Sequence, residues 1–185
     1  MAYQKIKGVM ADGKSSRYVQ VDSEGRLVKA PIPKKTVIKT KLMLATAKEA
    51  GDVVSESVTI AVPWYFYFGG TGYITKAIVA HDAAITPRLV LLLFDHPPTG
   101  ELNDDVANTN PLTADAPFFV GAINCSAMTY IGTGDAYSVN TSNTPNSNLR
   151  LSFNSIALYG VLITLDNVTT VAEDLTITLE ADIED

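Results

Sequence analysis

A strict alternation of apolar and polar residues near the C-terminus most constrains what this chain can fold into. Leu175, Ile177, Leu179, Ala181 and Ile183 take every second position, and the residues between them are threonine or acidic. A period of two places the apolar side chains on one face of an extended strand, because successive side chains of a strand point to opposite faces. The segment therefore predicts a β-strand with one buried face and one wet face.

Further segments with apolar runs or alternation occur along the rest of the chain. They lie at residues 38–44, 54–62, 64–68, 73–80, 89–94, 118–123, 128–131, 149–153 and 156–165. Turn-forming residues separate them, and only residues 42–49 could compete as a short helix. Many short strands with almost no helix predict an all-β sandwich or barrel. With long loops between the strands, the prediction is a jelly-roll-like two-sheet β-sandwich.

The basic residues concentrate at the N-terminus. Residues 1–41 hold ten of the 14 lysines and arginines against three acids, a net charge of +7, whereas residues 42–185 hold the other four against 17 acids, a net charge of −13. Prolines at 31 and 33 form a stiff connector, because proline fixes φ. We therefore predict an extended basic N-terminal arm, residues 1–35, and a β-sandwich body, residues 36–185.

The arm is expected to contain a short hairpin between residues 17–21 and 26–30, because two β-prone runs flank a turn that ends in glycine. A basic arm on an acidic body is expected to dock on an acidic protein surface. Nucleic acid is the less favoured partner, since the body's negative charge would repel it. The residues predicted to make this attachment are Lys5, Lys7, Lys14, Arg17, Arg26, Lys29, Lys34 and Lys35.

Two segments, residues 89–94 and 156–165, are apolar on both faces. A sandwich strand normally keeps one wet face, so the second face of these two must be covered. A long loop could cover it, and so could a neighbouring subunit. The subunit is the favoured interpretation, since β-sandwich proteins often close into symmetric rings. The residues predicted for such a homo-oligomer interface are Leu89, Leu91, Leu93, Leu158, Val161 and Ile163.

No arrangement of residues points to catalysis. The pairs His81-Asp82 and Asp95-His96 are interpreted as polar caps, because acid–base catalysis usually needs a third orienting group. The chain lacks the Gly-x-Ser-x-Gly and His-Glu-x-x-His motifs, and its single cysteine, Cys125, excludes a thiolate cluster and is expected to be buried. We therefore expect no enzyme activity, no cofactor and no required metal.

Weaker signals leave some alternatives open. Acidic residues at 101–105 and at Asp115 keep a structural calcium ion possible, although solvation of a long loop, residues 95–116, explains them as well. The glycines at 69–72 predict a tight turn rather than a phosphate loop, because no Lys-Ser/Thr pair follows them. No apolar run approaches the roughly 20 residues of a membrane-spanning helix, so no membrane association is expected.

An aromatic run in the middle of the chain has two faces. Alternation places Trp64, Phe66 and Phe68 on one of them, which is expected to pack in the core, because aromatic side chains dominate core energetics. It places Tyr65 and Tyr67 on the other, where they are expected at the surface and could stack on a sugar.

Several short stretches resemble a known class of proteins. They are the residues at 50–54 (AGDVV), 69–74 (GGTGYI), 93–97 (LFDHP), 104–107 (DDVA), 120–123 (VGAI) and 158–162 (LYGVL). Together they resemble the capsid decoration, or auxiliary head, proteins of tailed bacteriophages, over roughly residues 50–165. The resemblance implies a β-sandwich, commonly a trimer, bound outside the major capsid protein, without enzyme activity. It carries over no functional residue.

The expected function is therefore that of a non-enzymatic virion protein on the outer capsid surface. A homo-oligomer, with a trimer favoured, would bind the major capsid protein, and the basic arm would help to attach it. The alternative is a host-surface or glycan-binding module of a phage fibre or tail, which would use the loops of the sandwich. A β-sandwich carbohydrate enzyme is a distant third.

Overall fold

The computed structural model describes residues 4–9, 16–21, 33–130, 132 and 134–184. The chain divides into two compact units, Met1–Ile32 and Pro33–Asp185. The regular structure of the described residues is β-strand apart from one 3₁₀ turn at Ala116–Phe118. Among them no helix has the length and apolar character needed to cross a bilayer.

The strands are numbered in chain order. The first unit contains β1 (Gln4–Val9) and β2 (Ser16–Val21). The second contains β3 (Lys34–Leu42), β4 (Ala47–Lys48), β5 (Trp64–Tyr67), β6 (Thr71–His81), β7 (Leu89–Phe94), β8 (Phe119–Asn124), β9 (Thr129–Tyr130), β10 (Ala136–Thr141), β11 (Leu151–Phe153), β12 (Ala157–Thr164), β13 (Val168–Thr169) and β14 (Asp174–Glu184).

In the first unit, β1 pairs antiparallel with β2. Gln4 lies opposite Val21, and Val9 lies opposite Ser16. The partner of the 16–21 strand therefore precedes it in the chain, whereas the sequence predicted a partner at 26–30, which lies outside the described residues. No strand was predicted for residues 4–9, because they show no alternation of apolar and polar residues, but ladder bonds join backbone groups and form without an apolar face.

In the second unit, eight strands form two antiparallel sheets. One sheet has the order β3-β14-β6-β10 and the other β5-β12-β7-β8. Lettered B to I in chain order, these strands give the orders B-I-D-G and C-H-E-F, which is the strand order of a jelly roll. The short strands β9 and β11 extend the first sheet beside β10 and β6. The predicted all-β, jelly-roll-like two-sheet sandwich is confirmed.

The main core lies between the two sheets. Trp64 and Phe66 of β5, Leu91 of β7 and Leu158 of β12 are buried there against Ile177 of β14. The other apolar residues of the C-terminal alternation, Leu175, Leu179, Ala181 and Ile183, are buried as well. The strand predicted most clearly by its sequence therefore faces the core with the expected side.

A second apolar cluster covers the outer face of the C-H-E-F sheet. It joins Phe94 of β7 and Val161 of β12 to Val53, with Leu102 of the long loop packed against them. An isolated bridge pairs Val53 with Ile163. The loops at 49–57 and 95–116 therefore cover the second face of both strands that are apolar on two sides.

This arrangement corrects the predicted oligomer interface. Four of its six residues lie between the two sheets, and two lie beneath the covering loops: Leu89, Leu91, Leu93 and Leu158 in the first group, and Val161 and Ile163 in the second. All six are buried within one chain, the first group by the opposite sheet and the second by the covering loops. Their apolar character therefore needs no second subunit, and the oligomeric state stays a prediction.

Residues 54–62 do not form the predicted strand. Val54 is buried, but Val58, Ile60 and Val62 are exposed, with 81% of Ile60 accessible. The Ser57 hydroxyl accepts hydrogen bonds from the backbone N–H groups of Thr59 and Ile60. Such local bonds give the backbone an alternative to a strand ladder, and among the described residues no strand pairs with Val58, Ile60 or Val62.

Candidate functional site

The described surface feature with the most specific chemistry lies where β3 and β5 meet. Each is the edge strand of its sheet, and β3 places lysine side chains over the aromatic rings of β5. We call this surface the lysine–aromatic edge. It consists of Lys35, Lys39 and Lys41 of β3 with Trp64, Tyr65 and Tyr67 of β5.

The three lysines each lie against one ring. The Nζ atom of Lys35 is 5.0 Å from the centroid of Tyr67, and that of Lys39 is 5.9 Å from the centroid of Tyr65. The Nζ atom of Lys41 is 5.0 Å from the Trp64 ring. An ammonium group within about 6 Å of an aromatic centroid is attracted by the ring quadrupole. The edge therefore combines positive charge with aromatic surface.

The orientation of β3 is the reverse of the one its sequence predicts. The prediction buried Ile38 and Leu42 and exposed the lysines, but Ile38 is 61% and Leu42 58% accessible. The lysines at 35, 39 and 41 are half-buried instead. A lysine can bury its aliphatic stem against a ring and still keep its ammonium group near water, so the lysine face fits the rim of the sandwich.

Lys41 differs from the other two lysines because the chain supplies it with a carboxylate. Its Nζ atom donates a hydrogen bond of 2.8 Å to Oε2 of Glu56, and a second one to the carbonyl oxygen of Val62. Burial lowers the pKa of Lys41, and the hydrogen bond and charge of Glu56 partly oppose this shift. The interaction fixes the 56–62 loop to the edge of the sheet.

The aromatic residues of β5 divide between core and surface as predicted. Trp64, Phe66 and Phe68 are buried, whereas Tyr65 and Tyr67 are 41% and 49% accessible. Tyr159 of β12 lies beside Tyr65, with 5.3 Å between the ring centroids. The outward tyrosines therefore form an accessible aromatic surface next to the lysines. Sequence reasoning missed Tyr159, and the cross-strand pair that it forms with Tyr65 was visible only once the register was known.

The predicted attachment residues are divided between the two units. Lys5 and Lys7 lie on β1, and Arg17 lies on β2. Lys34 and Lys35 belong to β3, so the body begins before residue 36. Three further predicted residues, Lys14, Arg26 and Lys29, lie outside the described residues. Lys39 and Lys41 were not predicted, although their spacing along one strand face was the signal for them.

The acidic residues considered for calcium have separate partners. Asp104 is fully buried and forms a 2.5 Å ion pair with Lys48. The Glu101 carboxylate accepts hydrogen bonds from the backbone of residues 102 and 103, and that of Asp115 accepts two from Thr99. Within the described ranges, no three His, Cys, Asp or Glu residues come together as a group that could hold a metal ion.

The buried Lys48–Asp104 pair has a structural role. Asp104 also accepts hydrogen bonds from the Thr46 hydroxyl and from the backbone N–H of Ser55. A buried charge is costly unless it is paired and hydrogen-bonded, and here both conditions are met. The pair therefore holds the long loop against the 46–55 segment and over the second apolar cluster.

An open groove of about 490 Å³ lies between the exposed 59–61 turn and the long loop. Its lining is largely polar, with Thr59, Thr99, Glu101 and Asn103 among the contributing residues. This volume is in the range of ligand-binding clefts. The groove is formed by loops, which are the binding surface in the alternative interpretation of the sequence.

The two histidines lie apart and have different environments. His81 ends β6 and is buried, and neither ring nitrogen has a hydrogen-bond partner among the described residues. Burial lowers its pKa, and the charges of Asp82 and Glu173 partly oppose this. His96 lies in the long loop, is exposed and contacts Asp95 at 2.8 Å. The arrangement therefore gives no acid–base pair of histidines.

Cys125 is buried, as predicted, and burial raises the pKa of its thiol to about 12. The glycine-rich segment makes the predicted tight turn between β5 and β6, where Gly69 has a φ of 76°. A left-handed backbone of this kind favours glycine, because other residues carry a Cβ that clashes. Both features have structural explanations.

No protein-family model matches this chain, and no curated protein matches its sequence. Among solved structures, the chain is similar to one in the structure of infectious bursal disease virus, Gx strain, with 9% identity and a TM-score of 0.25. The match covers 90% of this chain and 44% of that one, so this chain spans less than half the length of the other. A TM-score of 0.25 carries no argument about fold or function. The jelly-roll assignment depends on the strand order alone.

Proposed function

We propose that this chain is a non-enzymatic virion protein that decorates and stabilises the outer capsid surface of a tailed bacteriophage. The observation that carries the proposal is the strand order B-I-D-G and C-H-E-F, because the jelly roll is an architecture of viral capsid domains. The resemblance of residues 50–165 to capsid decoration proteins supports the same assignment.

In this proposal the chain binds the major capsid protein as a homo-oligomer, with a trimer favoured. Its mechanism is mechanical: many weak contacts across subunit junctions hold the shell against internal pressure. Basic residues of the first unit and of β3 face an acidic surface of the shell. Exposed charges are screened beyond about 8 Å at physiological ionic strength, so attachment weakens as salt is added.

The test is immunogold electron microscopy of purified source particles with antibodies against the recombinant chain. Label over the outer surface of intact heads is the expected result. Heads washed at rising salt should lose the label, while the major capsid protein remains assembled. Absence of the chain from purified particles would contradict the proposal.

A second candidate is a glycan-binding module of a fibre or tail. The groove beside the long loop and the accessible Tyr65 and Tyr67 favour it, because sugars stack on aromatic faces and hydrogen-bond to polar loops. Gold label confined to the tail, together with binding to a glycan array that Tyr67→Ala abolishes, is the result that this candidate predicts.

A further inference from the structure

The backbone of β3 has one bonded side and one open side. It pairs with β14 in an unbroken register over Lys34–Leu42. Hydrogen bonds from Ile183 N to Pro33 O and from Met43 N to Glu173 O lie at the two ends of this register. In an antiparallel pair, bonded and non-bonded residue pairs alternate along the strands. The odd-numbered residues from 33 to 43 therefore make the bonds to β14.

The even-numbered residues of β3 face the other way. The N–H and C=O groups of Thr36, Ile38 and Thr40 point away from β14, toward the open edge of the sheet. Within residues 33–130 and 134–184, no strand pairs with this edge. A row of unpaired backbone groups on an edge strand is a template for pairing with another chain.

The side chains of β3 show which kind of chain fits there. Of the three half-buried lysines, Lys41 already has the carboxylate of Glu56. In the described part of the chain, no carboxylate lies within ion-pair distance of Lys35 or Lys39, whose ammonium groups lie over tyrosine rings. One of the three lysines is therefore paired with an acidic group of the chain itself, and the other two are complementary to acidic groups of a partner.

A second copy of this chain fits the edge poorly. Two β3 strands paired antiparallel would bring two rows of lysines together, and like charges on paired strands are destabilising. An acidic segment satisfies the same backbone groups and adds opposite charge. Charge complementarity therefore selects an acidic occupant.

We propose that the open edge of β3 binds an extended acidic peptide segment of a partner protein by strand addition. The segment pairs its backbone with Thr36, Ile38 and Thr40, and its alternate side chains are acidic residues that face Lys35 and Lys39. Backbone bonds supply the affinity in this mode of recognition, and the alternate side chains supply the specificity. The proposal is independent of the capsid assignment, since it concerns the chemistry of the edge and not the location of the partner.

The test measures amide hydrogen exchange by NMR in the full chain. The probe is a capped heptapeptide that alternates glutamate with valine and threonine, and the matched control carries lysine in place of glutamate. At millimolar concentration the acidic peptide should slow exchange at Thr36, Ile38 and Thr40 by about tenfold or more, because exchange reports local opening and protection. The lysine peptide should leave these amides unchanged.

Three substitutions check the register and the charge preference of the edge. Thr36→Pro removes an N–H group on the open side, where an edge strand tolerates proline, so it should abolish the protection with little loss of stability. The matched control, Val37→Pro, removes an N–H group that bonds to β14 and should lower the urea midpoint clearly. Lys39→Glu leaves the backbone groups of the edge unchanged. It should weaken binding of the acidic peptide and allow the lysine peptide to bind.

Four results would overturn the proposal. They are no protection by the acidic peptide at millimolar concentration, equal protection by both peptides, full protection of the three amides in the free chain, and protection that rises with protein concentration alone. The third would mean that the chain's own residues occupy the edge, and the fourth that a second copy does.

Discussion

Strands β3 and β14 are hydrogen-bonded neighbours that both alternate in sequence, yet they differ in the kind of residue that they turn toward the core. Strand β14 buries its apolar residues, and β3 exposes Ile38 and half-buries its lysines. The difference follows from their positions, because β14 lies between two strands and β3 lies at the edge. At the centre an inward side chain meets the opposite sheet, whereas at the edge it meets the rim of β5. Alternation therefore shows which residues of a strand share a face. The position of the strand in the sheet decides which of the two faces is buried.

The largest difference in stability is expected when one apolar side chain is truncated on each of the two strands. Leu179→Ala removes a fully buried side chain and should lower the free energy of unfolding by about 2–5 kcal/mol. Ile38→Ala acts on an exposed side chain and should change it by less than about 0.5 kcal/mol. Urea unfolding followed by the fluorescence of Trp64 measures both. Equal losses would show that the apolar face of β3 is buried in solution.

The same distinction explains how much of the fold the sequence could predict. Strand β7 was predicted with its observed ends, and β12 and β14 within about one residue, because β7 and β12 are continuous apolar runs and β14 alternates strictly. Strand β10 was missed, since its buried face consists of Ala136, Ser138 and Asn140 and carries no apolar signal. The Ser126 backbone N–H donates a hydrogen bond to the Asn140 side-chain oxygen, and the hydroxyls of Ser126 and Ser138 are hydrogen-bonded to each other, so polar contacts replace apolar ones on this face.

The candidate site was harder to predict than the fold. The lysines of β3 formed a visible pattern, but their contacts with β5 depend on two edge strands that are separated by more than 20 residues. The covering of β7 and β12 shows the same limit, because the sequence left a loop and a second subunit as alternatives. Pairing across sheets and coverage by loops are tertiary choices that periodicity does not encode.

A basic side chain at the centre of the sheet should behave differently from one at the edge. The buried His81 has a lowered pKa, so the unfolded chain binds more protons than the folded one between that value and 6.5. The contribution of His81 to the free energy of unfolding is complete above pH 6.5 and is lost as the pH falls through this window. The free energy of unfolding then changes by at most about 1.4 kcal/mol per pH unit.

His81→Leu should therefore flatten the dependence of unfolding free energy on pH between 5 and 7. Urea midpoints of the parent chain and of the variant, measured across this range, give the two slopes. An unchanged slope in the His81→Leu variant would mean that His81 is protonated without cost in the folded chain.

The smallest effect is expected at the lysine–aromatic edge, where the Lys41 ammonium group lies over the Trp64 ring although it is partly buried. Lys41→Met keeps an unbranched stem over Trp64, so most of the packing is retained, but it removes the ammonium group from the ring and leaves Glu56 without its partner. The substitution also removes the cost of desolvating the ammonium group, and this gain partly offsets the loss of the contact with the ring. The net cost should be about 1 kcal/mol, within the range of a partly buried cation–π contact. Lys34→Met on the exposed face of the same strand is the control and should have no measurable effect. If Lys41→Met is as stable as the parent chain, desolvation cancels the attraction, and the edge lysines serve partner binding and not the fold.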